Sequence, residues 1–165
     1  MMSKRILALF AALFTALLVL ASPAQAGNPH FIKNATSASL SGTSLVVKFK
    51  EAGLPSGATE TVTVSATLSA TYQCVNNGGK NPNDPKKTTI NTAVSTSGEF
   101  KADKNGNITG SLTLSAPAAA TVLDCPSGQR ATLTVVSYTA ISITDEDSGA
   151  TLAIPGTFSS GTPIN

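Results

Sequence analysis

From Val62 to Cys74 every second side chain is apolar: Val62, Val64, Ala66, Leu68, Ala70, Tyr72 and Cys74. The residues between them are Thr63, Ser65, Thr67, Ser69, Thr71 and Gln73. A period of two sustained over that length fits a β-strand with one dry and one wet face, because successive side chains leave a strand on opposite sides. A helix would scatter the same residues around its circumference. Ser and Thr make up 38 of the 139 residues that follow Ala26 (165 − 26), a content that alone would suggest a disordered stalk. The alternation argues otherwise: the hydroxyls form the wet faces of strands, where β-branched Thr fits the pleated surface.

The pattern recurs. Leu45, Val47 and Phe49 alternate with Val46, Lys48 and Lys50, and Ile108, Leu112 and Leu114 with Thr109, Ser111 and Thr113. Ile90 and Val94 lie on one side of a Thr-rich segment ending near Phe100. The segment from Ala131 to Thr144 is apolar on both faces, with Leu133, Val135, Ile141 and Ile143 on one parity and Val136, Tyr138 and Ala140 on the other. That suits a central strand or one carrying a bulge. Leu152 and Ile154 form a last short strand before Phe158. Turn-forming clusters separate these runs at Ser41-Gly42-Thr43, Pro55-Ser56-Gly57, Asp103-Lys104-Asn105-Gly106 and Asp147-Ser148-Gly149. Asn105-Gly106 predicts a β-hairpin from Phe100 to Leu114. Seven to eight short strands at turn spacing predict an all-β fold, an Ig-like antiparallel β-sandwich in one domain over residues 27–165, rather than a small barrel.

Residues 1–26 read as a secretory signal peptide. Lys4 and Arg5 precede an apolar run from Ile6 to Ala21, and Ala24-Gln25-Ala26 supplies the small residues of a cleavage site. The expected product is secreted, extracellular and of bacterial type, with no membrane span after cleavage. In an oxidising compartment Cys74 and Cys125 are expected to form one disulfide.

The whole chain has 11 basic and 9 acidic residues. Two of the basic ones belong to the signal, which leaves nine against nine (11 − 2). That balance offers no field for nucleic acid. The single His, His30, is near-terminal, and both Cys are engaged, so nucleophilic triads and a His-based zinc site are not expected. There is no phosphate-binding or dinucleotide fingerprint. Asp145-Glu146-Asp147 sits at a predicted turn, where consecutive side chains diverge and cannot by themselves cage a cation. Asp103-x-Asn105-x-Asn107 begins like a calcium loop but has Leu114 where the closing Glu belongs. No catalytic residue, metal or cofactor is expected, and the acids show no pairing along the chain. A carboxylate hydrolase and a secreted protease inhibitor are the lesser alternatives.

Two loops are the expected recognition surface. The first, leaving the long strand after Cys74, carries Asn76, Asn77, Lys80, Asn81, Asn83, Asp84, Lys86 and Lys87. The second surrounds Cys125 and carries Asp124, Gln129 and Arg130. The disulfide would tie both to one end of a rigid scaffold, the usual setting for binding loops. The expected partner is an extracellular protein, a surface or a small molecule.

Two stretches resemble the neocarzinostatin family of secreted apoproteins. One is Gly42-Thr43-Ser44-Leu45-Val46-Val47-Lys48-Phe49 followed by Ala52-Gly53-Leu54-Pro55-Ser56-Gly57. The other is Ala102-Asp103-Lys104-Asn105-Gly106-Asn107 followed by Ser111-Leu112-Thr113-Leu114. The resemblance implies an Ig-like sandwich whose cleft carries a small molecule. That family's disulfides close short loops, unlike the 51-residue separation of Cys74 and Cys125.

Overall fold

The computed structural model describes residues 27–78 and 86–161. The expected signal peptide, 1–26, lies outside the described residues, as do Lys80, Asn81, Asn83 and Asp84 of the first loop. Nine strands run β1 His30–Phe31, β2 Ser37–Ser41, β3 Ser44–Ala52, β4 Thr59–Asn76, β5 Lys87–Lys101, β6 Ile108–Leu114, β7 Gln129–Asp145, β8 Thr151–Ile154 and β9 Phe158–Gly161. A 3₁₀ turn at Lys33–Ala35 and one helical turn, α1, at Ala119–Val122 are the helical pieces among the described residues.

The strands make two antiparallel sheets. In the first, β3 is central, with β6 along one edge and β1 and β2 sharing the other. In the second, the order is β5-β4-β7, and β8 and β9 share the outer edge of β7. The predicted sandwich is present, and the alternation of β4 has the predicted sense. Val62, Val64, Leu68, Ala70 and Tyr72 are buried, while the intervening Thr and Ser are at least partly exposed.

The core between the sheets centres on Phe49, whose ring makes edge-to-face contacts with Phe31 at 5.9 Å and Phe100 at 5.0 Å. Two tyrosines stitch the layers. Tyr138 of β7 donates its hydroxyl to the carbonyls of Thr43 (3.0 Å) and Leu114 (3.3 Å), and Tyr72 of β4 donates to that of Pro117 (2.9 Å). A buried aromatic with a polar tip needs such a partner.

β7 resolves the double-faced apolar pattern. Its pairing with β4 slips between Ser65 and Thr67, opposite Thr139–Ser142, and Ala140 there has φ +49°. The extra residue reverses the parity of the strand. Val136 and Tyr138 point into the core before the bulge, and Ile141 and Ile143 after it.

The hairpin expected from Phe100 to Leu114 does not form. β5 pairs with β4 and β6 with β3, so the Asp103–Gly106 turn carries the chain from one sheet to the other. The local turn chemistry is as expected: Asp103 Oδ1 accepts the backbone N–H of Asn105 (2.8 Å) and Asn107 (2.9 Å). What opens the two strands is the Leu54 backbone, whose N–H donates to the Gly106 carbonyl at 3.1 Å and anchors the turn at the sandwich corner.

Candidate functional site

The long strands β4 and β7 have two ends, and different chemistry collects at each. At one end Cys74 and Cys125 are joined with an S–S distance of 2.05 Å. The two expected loops do meet here. Asn76 lies opposite Gln129 and Val75 opposite Arg130 in the β4–β7 ladder. The Asn77 N–H donates to Gly128 O (3.3 Å), and Lys86 Nζ to Asp124 O (2.8 Å). The Cys74 N–H donates to Lys86 O at 2.9 Å, just before Lys87 opens β5. Among the described loop residues, then, Lys86 and Asp124 hold the loops together.

β5 leaves this end as the outer strand of its sheet. Its pairing with β4 runs without a register shift from Lys87↔Gln73 to Lys101↔Thr59. The solvent face of the ladder is tied by hydroxyl pairs, Thr71–Thr89 and Thr63–Ser97, each at 2.8 Å. Between Lys87 and Glu99 the strand has no charged residue and no proline. Its last residues pack against β6, where Gly98 and Gly110 make room for Leu112 and Phe100. The other outer strands are shorter: five residues in β2, seven in β6 and four in each of β8 and β9.

The opposite end gathers carboxyl groups that sequence spacing does not connect. One carboxyl oxygen from each of Glu60, Asp145 and Asp147 lies within 4.8 Å of the others. Glu60 and Asp145 are buried, and Asp147 is exposed. Glu51, from the facing sheet, stands behind them at 0% exposure. Asp145 is the organiser of the turn. Its Oδ1 accepts the N–H of Asp147 (2.9 Å) and of Ser148 (3.2 Å), and its Oδ2 accepts the Ser148 hydroxyl (2.7 Å). Asp147 Oδ2 accepts the Thr61 N–H at 2.7 Å. Glu51 Oε1 accepts a long contact from the Ser148 hydroxyl, 3.4 Å, and its carboxyl meets that of Asp145, while among the described residues its buried Oε2 has no donor.

Burial, and then the adjacent Asp145 charge, push Glu51 up to about 8. Glu60 is raised too, by burial first and then by Asp145 and Asp147. A surface cavity of about 430 Å³ opens onto the group, lined by Pro29, Leu54, Pro55, Thr59, Glu60, Asp147 and Ser148. Asp145 and Asp147 converge, but the three turn acids do not do so by themselves. The turn folds back on Asp145, and Glu60 completes the group from β4. Glu146 is not part of it. The Asp103 carboxylate is turned to its own backbone, and the Asn107 and Asn105 N–H groups hold it below its ordinary range. His30 is exposed, with Nδ1 2.8 Å from Asn28 O.

A separate groove of about 690 Å³ runs beside the β7 bulge, lined by Ala140, Ile141, Leu152, Ile154, Pro155 and Lys33 among others. It lies where the outer partner of β7 changes from β9 to β8. No helix among the described residues is long and apolar enough to cross a membrane.

No protein-family model and no curated protein matches the chain, so the resemblance to the neocarzinostatin family gains no support. Among solved structures the chain is similar to the solution structure of R. palustris CsgH. The identity is 10%, over 81% of this chain and 91% of that one, with a TM-score of 0.18, too low for the two folds to be called the same.

Proposed function

We propose that this protein is a secreted, non-enzymatic binding or structural module, and that it acts by accepting an added strand along β5 at its disulfide-clamped end. The observation that carries this reading is the outer edge of β5, which among the described residues pairs with β4 alone. An outer strand presents unpaired backbone donors and acceptors, and proteins ordinarily blunt such edges with charge, proline, bulges or brevity. From Thr88 to Gly98 this edge has no charge and no proline, and its register is unbroken. The partner that fits is an extended, uncharged, hydroxyl-rich polypeptide strand. It would extend the Thr–Thr and Thr–Ser pairing already present across β4 and β5. Lys86 and Asp124 brace the end from which the edge departs. The disulfide and the export signal support an extracytoplasmic setting.

Hydrolysis by carboxylates is disfavoured. Among the described residues no aromatic ring lines the cavity beside the acids to stack on a sugar. A carrier role rests on one observation, the apolar groove beside Ala140.

The test uses a synthetic peptide copying residues 88–98 as the added strand, with amide chemical shifts of the chain as readout. Strand addition predicts shifts confined to β5. It also predicts their loss in Thr92→Lys, because Thr92 is exposed on the sandwich side of the edge and an inward lysine blocks pairing. Absence of shifts along β5 at millimolar peptide would remove the strand-addition reading. Shifts along the Ala140 groove with a hydrophobic small-molecule probe would favour the carrier.

A further inference from the structure

The acidic end of the sandwich is over-supplied with negative groups. Three carboxyls crowd one spot, Glu60 on β4 with Asp145 and Asp147 at the close of β7, and a fourth, Glu51 on β3, meets Asp145 from the facing sheet. Among the described residues no basic side chain contributes to the environment of Glu51 or Glu60. Like charges at this spacing repel, and burial strengthens the repulsion by lowering the local dielectric. Such an arrangement persists when something positive compensates it.

Three of the groups have a structural reason to be there. Asp145 and Asp147 accept backbone N–H bonds that shape the turn, and Glu60 faces the cavity. Glu51 has none. It is fully buried, its side chain is directed at Asp145 and Ser148, and among the described residues nothing donates to Oε2. A buried carboxyl oxygen without a partner costs a substantial part of its hydration free energy. Two carboxylates in contact are reconciled only by a proton or a cation between them.

We infer that Glu60, Asp145 and Asp147, with Glu51 against Asp145 behind them, form a binding site for a hard divalent cation of the calcium class, entered through the cavity at Pro29 and Ser148. The donor set is all oxygen, with no His or Cys, which excludes the usual preference of zinc or copper. Calcium accepts irregular sets of six to eight oxygens, mono- or bidentate, and takes water for the remainder. Magnesium requires a near-octahedral shell and gives up its waters reluctantly, so it fits this crowded set less well. The site is distinct from the β5 edge and independent of the strand-addition reading. Its structural consequence is a second staple. The disulfide holds one end of β4, while the cation joins the two sheets at the other end. Glu60 and Cys74 are roughly 46 Å apart along the strand at about 3.3 Å per residue.

The experiment is scanning calorimetry of the full disulfide-bonded chain after EDTA treatment, at neutral pH and matched ionic strength, with calcium, magnesium or neither. Calorimetric titration of calcium runs beside it. One calcium ion per chain is expected, with half-saturation at about 0.1–1 mM, as in extracellular modules. Tm should rise by about 5–10 °C at saturating calcium, with a smaller rise in magnesium. Glu60→Gln and Asp147→Asn alter the mouth of the site and leave buried Glu51 and Asp145 in place. Each should lose at least tenfold in calcium affinity, and for Glu60→Gln, which takes no part in the turn hydrogen bonds, the melting temperature in EDTA should not fall. No stoichiometric uptake, a calcium shift equal to that in matched salt, or full retention of the shift in both variants would each overturn the site.

Discussion

The carboxyl of Glu51, on the sheet built around β3, rests against that of Asp145, on the sheet built around β4, with no water-exposed surface on either. That contact joins the two layers of the sandwich through a pair of groups that repel one another when both are ionised.

It predicts how metal-free stability depends on pH. Burial, then Asp145, lift Glu51 from 4.5 to about 8, so between those values the folded chain holds a proton that the unfolded chain has lost. The contribution of this group is therefore full below about 4.5, declines as pH rises to about 8, and is level above. Glu60 is shifted in the same direction. Denaturant titrations in EDTA across that window should show the decline, and Glu51→Gln, which cannot ionise, should flatten it. Constant stability of the parent chain through the window would contradict the contact.

The Cys74–Cys125 bridge closes a 51-residue separation and secures the end of β4 and the loop before β7. Replacing both cysteines by serine should cost about 2–5 kcal/mol, read as a lower denaturation midpoint. An unchanged midpoint would show that the bridge is not structural.

Tyr138→Phe removes one hydroxyl and leaves the carbonyls of Thr43 and Leu114 without it. The ring still fills its place, so packing is kept. The expected loss is about 1–2 kcal/mol, the cost of stranded buried acceptors, and chemical denaturation measures it directly.

Gly110 is pressed against the central aromatic cluster. A Cβ there would collide with the Phe100 ring and come within 2.9 Å of Phe49 Cζ. Gly110→Ala should destabilise by about 1–3 kcal/mol through overpacking. Near-ultraviolet circular dichroism should report disturbed rings, and an unchanged spectrum with unchanged stability would refute the contact.

Much of the fold was legible in the sequence because a strand's two faces are written in its nearest neighbours. The alternation from Val62 to Cys74 specified β4 and its buried side without reference to any other segment. The expected export signal and the pair of cysteines pointed to the bridge, and the loops it draws together followed from that. The turn at Asp103–Gly106 was legible too, since its hydrogen bonds are local.

What the tertiary structure alone decided is everything that depends on which segments become neighbours. Local alternation does not say which sheet a strand joins, so the assignment of β5 and β6 to opposite sheets was hidden, as was the open edge it creates. The parity of β7 depends on a bulge at Ala140, set by the competing pairings of β4, β8 and β9. The carboxyl group at the far end is the plainest case. Glu51, Glu60, Asp145 and Asp147 span nearly a hundred residues of chain, and each reads locally as an ordinary strand or turn residue. Only the register of β4 against β7, and the closure of one sheet over the other, brings them together. Repulsion between like charges depends on distance in space, which sequence spacing does not encode.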